Sequence, residues 1–398
     1  MTVQVTPAQN IVKAGKRSNL NGLIDRLLAF RDRCLTSPRF IRFSETFPPT
    51  RIIARREASA LFDLCSGFVY SQVLLACVRL RLFDVLKDGP LGVEEIAHRL
   101  GLSEDAAGRL LTAAAALRLA ERRSGGRYGL GGLGAAMLAS PGLATMVEHH
   151  ALLYRDLEDP VRLLRSEAAA APPEAEASRA GKGTHLSSYW PYAEGDTGAS
   201  REAVSDYTGL MAATQPALAQ EVLDAYDFKP HRCLMDVGGG NGAFLLHAAK
   251  RAPHLQLILF DVPAVAELAA ARFKQAGIEG RAKTAGGDFL KDLPSGADVI
   301  SLIRVLLDHD DATALGILKS ARAALPQGGA LLVAEPMAET RGAEKVAAYF
   351  SLYLMAMGRG RPRTEQQLQA LLREAGFSRI ERRSTCQPLL VRLLVAQP

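Results

Sequence analysis

The feature that most constrains the fold is an apolar segment, Cys233–Val237, followed at once by the run Gly238-Gly239-Gly240-Asn241-Gly242. The apolar segment predicts a buried strand, and the glycines predict a tight turn in which the backbone can approach a ligand closely. A helical pattern begins near Ala243, and a helix N-terminus behind such a turn favours a carboxylate or a phosphate. The unit therefore predicts an α/β domain with a ligand site where its first strand ends.

The rest of the C-terminal half alternates apolar strand patterns with helical patterns. Such alternation predicts an α/β fold with a parallel sheet covered on both faces. Two further strands close the pattern at the C-terminus. The predicted strands are Arg232–Val237, Gln256–Phe260, Ala282–Gly286, Val299–Leu302 and Ala330–Ala334, then Phe377–Arg382 and Pro388–Ala396.

The N-terminal half has a different organisation, and 398 residues are more than one ordinary core fills. Val93–Leu100 predicts a helix, and Ser103 is a suitable N-cap for a second helix that ends near Leu117. Leu119–Arg122 and Tyr128–Leu130 predict a hairpin. This order indicates a winged-helix domain. The predicted divisions are a basic arm (1–58), the winged-helix domain (59–165), a linker rich in Pro, Ala and Glu (166–200) and the α/β domain (201–398).

The glycine run leaves two cofactors open. The spacing Gly238-x-Gly240-x-x-Ala243, with Asp261 about 20 residues further on, also satisfies the loose fingerprint of a NAD enzyme. Two later elements favour S-adenosylmethionine. Asp261 ends the second strand, where it can bind ribose hydroxyls, and Asp288-Phe289 follow the third, where a carboxylate can bind the adenine amino group and a ring can stack on the base.

Six motifs together resemble the caffeate/acetylserotonin-type O-methyltransferase family over roughly residues 60–398. They are Asp236–Gly242, Phe260–Pro263, Gly287–Phe289, Arg304–Leu306, Ala334–Pro336 and Glu374–Phe377. The resemblance implies a homodimer formed through the winged-helix domain, and a class I methyltransferase domain that ends in an antiparallel strand. The contacts with S-adenosylmethionine that we expect on this basis are Asp236, Gly238, Gly240, Asp261, Asp288, Phe289 and Arg304.

The chain departs from that family where the general base is expected. Members usually read Arg-Val-Leu-His-Asp-Trp, and the histidine is the base. Here Leu307 stands at that position, His309 replaces the tryptophan, and Pro362 replaces a second orienting glutamate, whereas Glu335 remains. These departures, and the basic apolar arm, resemble a narrower group. That group comprises the carotenoid hydroxyl methyltransferases of photosynthetic bacteria, which act on 1-hydroxyneurosporene and demethylspheroidene.

The missing histidine does not exclude methyl transfer. Alignment of oxygen, methyl and sulfur can contribute about 7–11 kcal/mol at best, and a base adds about 10²–10⁴-fold. Our candidate base is His309, with Glu335 as its orienter or as the proton acceptor itself. The alternative is that His309 only caps the loop after its strand. The adjacent pair His149 and His150 reads as exposed, with no identifiable partner.

The expected acceptor is hydrophobic. Along the helix after Glu335, Phe350, Tyr353 and Met357 share one face with other apolar residues, which is typical of a core but would line the acceptor site in this family's geometry. Trp190 and Tyr192 are expected to cover the pocket. A hydroxycarotenoid is the favoured acceptor, and a bacteriochlorophyll precursor or a small phenol is the alternative.

The net charge of +6 lies in the N-terminal arm, because residues 1–60 hold eleven Lys/Arg and four Asp/Glu. Such an arm can bind anionic lipid or nucleic acid, or it can be a solvated extension. No stretch reads as long and apolar enough to span a bilayer, and there is no apolar signal-peptide core at the N-terminus. We expect a cytoplasmic protein, with peripheral contact at the photosynthetic membrane as a further hypothesis.

Three rival functions remain. A winged helix can bind DNA, but the second helix holds one basic residue, Arg109, so no nucleic-acid partner is expected. A NAD-dependent oxidoreductase shares the glycine pattern. A catalytically inactive binding protein would explain Leu307 and Pro362. The five cysteines are scattered without a CxxC pair, and no metal is expected.

Overall fold

The computed structural model describes residues 8–169, 183–189 and 201–398. The chain divides into two compact units, Met1–Ala76 and Cys77–Pro398. Most of the predicted linker, with Trp190 and Tyr192, lies outside the described residues. The roles expected for those two aromatic side chains therefore stay predictions.

The first unit is helical, and its large apolar side chains from Leu23 to Val69 are exposed, whereas Leu75 is buried. Its helices are α1 (Ala8–Leu35), α2 (Pro38–Thr46) and the beginning of α3 (Pro48–Arg79). Proline opens both α2 and α3, at the position where its missing N–H is not needed. No residue of α2 is buried, and the rings of Phe43 and Phe47 stack with centroids 5.1 Å apart.

Helix α3 differs from the expectation that no segment is long enough to cross a bilayer. By length and composition alone it is long and apolar enough, and 11% of its apolar window is buried. Asp63, Ser66 and neighbouring polar residues interrupt the apolar segment, but the segment as a whole remains apolar enough to cross a membrane. Core helices of soluble proteins can have the same length and apolar composition, but they are mostly buried.

The second unit begins with the predicted helices and hairpin. Gly101 ends the first helix in the left-handed conformation (φ 67°), and the Ser103 hydroxyl accepts a hydrogen bond from the backbone N–H of Ala106 at 3.2 Å to cap the next. The elements are α4 (Leu82–Leu86), α5 (Val93–Leu100), α6 (Glu104–Ala116), β1 (Ala120–Arg122), β2 (Tyr128–Leu130), α7 (Gly132–Ala139), α8 (Pro141–Asp156), α9 (Pro160–Ala169), α10 (His185–Tyr189) and α11 (Arg201–Ala225).

The predicted parallel sheet is confirmed, within a residue or two at most strand ends. Its seven strands are β3 (Cys233–Val237), β4 (Gln256–Asp261), β5 (Ala282–Gly286), β6 (Val299–Ile303), β7 (Ala330–Glu335), β8 (Arg379–Arg383) and β9 (Arg392–Gln397). The spatial order is β5-β4-β3-β6-β7-β9-β8, with β9 antiparallel to both of its neighbours. The helices between the strands are α12 (Ala243–Arg251), α13 (Pro263–Gln275), α14 (Asp311–Ala324), α15 (Glu344–Met357) and α16 (Glu365–Glu374).

The topology fixes where a ligand can bind. The chain runs from β3 outward to β4 and β5, and then crosses back to place β6 on the other side of β3. The crevice beyond the carboxyl ends of β3 and β6 is therefore the switch point of the sheet, where such folds bind ligands. Separate apolar clusters bury the two faces of the sheet and hold these strand ends in place.

Candidate active site

The glycine turn after β3 has a shape that other residues cannot adopt without strain. Gly238, Gly240 and Gly242 have φ of 68°, 58° and 79°. A Cβ at Gly238 would lie 2.9 Å from Cγ2 of Val305, and one at Gly242 would lie 2.5 Å from Cε1 of Phe273. The turn is therefore packed from behind and leaves bare backbone toward the crevice, which is the cradle that a nucleoside-bearing ligand requires.

Asp261 ties this turn to the end of β4. Its carboxylate accepts hydrogen bonds from the backbone N–H groups of Gly240 and Val262, both at 2.8 Å. Burial raises the pKa of Asp261 to about 6, and the two hydrogen bonds oppose that rise. The structure thus brings together Gly238, Gly240 and Asp261, as the sequence predicted.

Asp236 lies inside the strand rather than at its end. Its Oδ1 accepts a hydrogen bond from the Ser301 hydroxyl at 2.6 Å, while Oδ2 is buried with no partner among the described residues. Burial raises its pKa to about 7, and the nearby Asp261 adds to the rise. A Cβ at Gly239 would lie 2.5 Å from that Oδ2, so the carboxyl also fixes the turn.

Asp288 and Phe289 follow β5. The Asp288 carboxylate is exposed and accepts a hydrogen bond from the backbone N–H of Leu290 at 2.9 Å. The Phe289 ring packs edge to face on the His309 ring, with centroids 5.4 Å apart and planes at 79°. The predicted adenine residue and the predicted base are therefore neighbours.

Arg304, just beyond β6, has a strained backbone (φ 56°), a conformation that clusters at functional sites. Its guanidinium donates to the Thr214 hydroxyl at 2.9 Å and to the Met211 sulfur at 3.4 Å. Its Nε is buried and has no partner within the described part of the chain. A cation with a spare donor beside a glycine cradle fits the carboxylate of an amino-acid ligand such as S-adenosylmethionine.

Glu335, the last residue of β7, holds the backbone that follows Arg304. Its Oε1 accepts hydrogen bonds from the N–H groups of Val305 at 3.1 Å and Leu306 at 2.8 Å. Oε2 is buried without a partner among the residues described. Burial and the charge of Asp308 raise the Glu335 pKa to about 8. The side chain therefore fixes the start of the 3-10 turn Leu306–Asp308 through the backbone of that turn.

His309 ends the same turn and is buried. Burial, with the charges of Arg359 and Arg363, lowers its pKa to about 4, so the ring is neutral and weakly basic at neutral pH. Its contact with Phe289 lies on the side of the crevice predicted for adenine. The general-base role of His309 stays a prediction, and the geometry supports a cofactor contact more directly.

Arg363 is a site residue that sequence reasoning missed. It is 3% exposed, and its guanidinium donates to the carbonyls of Leu306 at 2.6 Å and His309 at 2.7 Å, and to the Asp311 carboxylate at 2.8 Å. Two of these bonds hold carbonyls of the turn, whereas Glu335 holds its N–H groups. The only hint in the sequence was the run of arginines around Pro362.

Asp308 was also missed as a titrating group. Burial raises its pKa to about 7, and the charge of Arg304 opposes that rise. The charge of Asp308 also raises the pKa of Glu335, so the protonation of each of these two carboxyls affects the other.

The predicted substrate residues meet at an apolar cluster. Leu307 is buried there at the position where the family has its histidine. Phe350 packs at the edge of this cluster, while Tyr353 and Met357 are buried in it. The buried members are Leu153, Leu163, Leu186, Leu307, Tyr353, Leu354, Ala356 and Met357. The structure thus separates Leu307, on the apolar side, from His309, on the Phe289 side.

The interpretation of His149 and His150 as an exposed pair without partners is wrong. The Nε2 of His149 lies 2.9 Å from the Tyr353 hydroxyl, and the Nε2 of His150 lies 2.8 Å from the Tyr349 hydroxyl. His149 is buried and His150 is half-buried. Sequence spacing could not reveal this, because the partners lie about 200 residues apart and meet only where α8 packs on α15.

Comparison with known proteins agrees with this arrangement. A family model described as an O-methyltransferase domain matches residues 154–378, and one described as an O-methyltransferase dimerisation domain matches residues 62–140. A demethylspheroidene O-methyltransferase of Cereibacter sphaeroides is 43% identical over 352 residues, covering 88% of this chain and 89% of the relative. An acetylserotonin O-methyltransferase of Mus musculus is 33% identical over 337 residues, covering 82% of this chain and 86% of the relative.

A solved structure has the same architecture. Human N-acetylserotonin methyltransferase in complex with S-adenosylmethionine superimposes with a TM-score of 0.69 at 26% identity, covering 86% of this chain and 97% of that one.

Proposed function

This chain belongs to the O-methyltransferase family, and from that premise we propose that it methylates the hydroxyl of a hydroxycarotenoid, of the 1-hydroxyneurosporene or demethylspheroidene type, in carotenoid biosynthesis. The enzyme is an S-adenosylmethionine-dependent O-methyltransferase. The observation that carries the carotenoid assignment is Leu307, a buried leucine in an apolar cluster where the family's usual histidine would stand. An acidic phenol benefits from a nearby imidazole, whereas a long polyene gains more from an apolar chamber.

The residues proposed to hold the cofactor are those gathered at the switch point. Gly238 and Gly240 would line the nucleoside, Asp261 would bind the ribose hydroxyls, and Arg304 would bind the methionyl carboxylate. Asp236 supports the turn from beneath, and Asp288 and Phe289 would contact adenine. When bound, S-adenosylmethionine supplies an electrophilic methyl group on a sulfonium.

The apolar cluster favours transfer because the sulfonium loses its positive charge as the methyl moves. A dry chamber therefore disfavours the charged starting state relative to the transition state. Leu307, Phe350, Tyr353 and Met357 would form that chamber, and Trp190 stays a predicted cover. Glu335 would act by fixing the turn on which Leu307 and His309 stand, and the proposed roles of His309 and Glu335 in proton removal require a direct test.

The experiment is methyl transfer from labelled S-adenosylmethionine to three acceptors: a 1-hydroxycarotenoid in detergent, a simple phenol and a bacteriochlorophyll precursor. We expect turnover on the carotenoid alone. Leu307→His places a base at the family position and should lower carotenoid turnover while raising phenol turnover. A wild-type enzyme that prefers the phenol would overturn the carotenoid assignment but leave the methyltransferase assignment intact.

His309→Ala and Glu335→Ala test the predicted catalytic pair on the same acceptor. Loss of turnover at unchanged affinity for S-adenosylhomocysteine would support a proton-acceptor role for the altered residue. Loss of that affinity in His309→Ala would instead assign His309 to the cofactor, beside Phe289. Unchanged turnover in both variants would remove both from the mechanism.

We also propose that the enzyme is a homodimer. The matched dimerisation domain covers α5, α6 and the β1–β2 hairpin, whose order suits a winged-helix scaffold. It also covers the part of α3 where Phe62, Leu64 and Phe68 are exposed. A second copy would bury them. Sedimentation should give twice the chain mass, and Phe68→Glu should shift the enzyme toward monomer.

The N-terminal arm is proposed to hold the enzyme at the surface of the photosynthetic membrane. In α2, Phe40, Ile41 and Phe43 are exposed beside Arg39 and Arg42. Apolar and cationic side chains on one short helix suit the interface of an anionic bilayer, where a carotenoid dissolves. Flotation with vesicles containing phosphatidylglycerol should recover the protein, and high salt or Phe43→Ser should release it. Equal binding to neutral vesicles would contradict the electrostatic part.

A further inference from the structure

Two parallel histidine–tyrosine hydrogen bonds join α8 to α15. The inner one, His149 to Tyr353, is buried, and the outer one, His150 to Tyr349, is half-buried. The two tyrosines lie one helical turn apart, with ring centroids 5.6 Å apart, and Tyr349 packs on Phe350 at 5.1 Å. The pairs therefore belong to the apolar cluster that contains Leu307.

The outer pair lies within the electrostatic influence of Arg304, a predicted cofactor residue. The charge of Arg304 acts on the Tyr349 phenol and opposes the rise in its pKa to about 12 that burial causes. Arg304 also donates to Met211, which packs on the same cluster. Tyr349 is thus a half-buried phenol at the edge of the apolar cluster, under the charge of the residue proposed to bind the methionyl carboxylate.

We propose that Tyr349 and His150 accept the proton of the acceptor hydroxyl, in place of the imidazole that Leu307 lacks. This inference rests on the proposed O-methylation. As the acceptor oxygen forms its bond to the methyl carbon, the carbon–sulfur bond breaks and its electron pair stays on sulfur. The acceptor proton moves to Oη of Tyr349, and the Tyr349 proton moves to Nε2 of His150. The resulting imidazolium then releases the proton to water.

The step requires the His150 tautomer that carries its proton on Nδ1, so that Nε2 can accept from the phenol. Burial lowers the pKa of His150 below its ordinary value of 6.5, so the ring is neutral and ready to accept at neutral pH. The positive charge of Arg304 stabilises negative charge that develops on Oη of Tyr349. The described titratable groups around the pair are His149, Tyr353 and Arg304, with Asp308 next to Arg304.

The chain offers a matched control at the other end of the sheet. The Tyr226 hydroxyl lies 2.7 Å from Nε2 of His231, just before β3 begins. That pair has the same chemistry but sits at the amino end of the strands, away from the crevice. Tyr226→Phe therefore controls for the loss of a phenol hydroxyl bound to histidine.

The experiment compares Tyr349→Phe, His150→Gln, the double variant and Tyr226→Phe in full-length enzyme with a 1-hydroxycarotenoid. We expect kcat to fall about 10²–10⁴-fold in each single variant of the pair, with no further loss in the double. Tyr349→Phe keeps its ring contacts, so its affinity for S-adenosylhomocysteine should match the wild type, and its unfolding midpoint should fall no further than that of Tyr226→Phe, which also loses a hydrogen bond to histidine. Tyr226→Phe should keep wild-type kcat.

The pH profile separates a proton acceptor from a structural contact. The wild-type kcat should fall below the pKa of His150 as one proton binds, and His150→Gln should remove that acid limb. The inference is overturned if Tyr349→Phe or His150→Gln keeps wild-type kcat, or if the acid limb persists without the imidazole. Absence of wild-type turnover on every hydroxycarotenoid would instead overturn the proposed function, and this inference with it.

Discussion

Glu335→Gln tests how the buried carboxyl supports the catalytic turn. The glutamate ordinarily titrates near 4.5, but in the folded protein burial and Asp308 raise its pKa to about 8. Between these two values the folded chain keeps a proton that the unfolded chain has released. Raising the pH through this window therefore favours unfolding, and the free energy of unfolding falls by at most about 1.4 kcal/mol per pH unit.

Glutamine keeps the acceptor that the N–H groups of Val305 and Leu306 require but cannot ionise. Near pH 5, only half a unit above the ordinary pKa of 4.5, the variant should be more stable than the wild type by less than about 1 kcal/mol. By pH 8 the variant should be more stable than the wild type by about 2 to 4 kcal/mol. This difference is smaller than Glu335 would give if it titrated alone, because Asp308 titrates in the same range.

The assay is urea unfolding at half-unit steps from pH 5 to 8.5, without cofactor. Other buried carboxyls also titrate in this range, so the quantity to compare is the difference between variant and wild type. Glu221→Gln removes a different buried carboxylate, one that accepts from the backbone N–H of Gln387, and controls for the loss of one charge. Parallel curves for Glu335→Gln and the wild type would refute the reasoning, because they would mean that Glu335 is ionised in the folded protein.

Three further changes test the site around that turn. Gly242→Ala places a Cβ 2.5 Å from Phe273 at a φ of 79°, and should cost about 2–4 kcal/mol in denaturant unfolding. Asp261→Asn keeps the side-chain shape but removes the charge that would face the ribose, and calorimetry should show at least a tenfold weaker affinity for S-adenosylhomocysteine, about 1.4 kcal/mol. Arg363→Lys replaces three nitrogens that each reach a different acceptor with one ammonium nitrogen that cannot span them, so the melting temperature should fall by several degrees and kcat should fall with it.

The sheet could be predicted from the sequence because its signals are local. Strands such as Val299–Ile303 are buried at every position and apolar at all but Ser301, since both faces are covered, and helical patterns separate them. The glycine turn was equally predictable, because positive φ and close packing leave few alternatives. Asp261 was found for the same reason: its distance from the glycines and its place after an apolar strand are both visible in one dimension.

The contacts between distant elements could not be predicted. His150 meets Tyr349, and Arg363 meets the carbonyls of Leu306 and His309, only after the chain has folded. The position of a histidine or an arginine in the sequence does not indicate which distant residue it will bind. The environment of Glu335 was hidden for the same reason, since its raised pKa depends on burial and on a neighbouring carboxyl.

The turn after β6 explains why a leucine can replace the family's histidine without disordering the site. Arg304 and His309 lie toward the predicted cofactor groups, whereas Leu307 lies in the apolar cluster. Glu335 holds the N–H groups of the turn and Arg363 holds its carbonyls, so the shape of the turn does not depend on the side chain at 307. The side chain at position 307 can therefore vary with the acceptor substrate, and an apolar side chain there favours a hydrophobic alcohol over a phenol. In our proposal proton removal then comes from another element, the half-buried phenol of Tyr349 on α15 and the imidazole of His150 on α8.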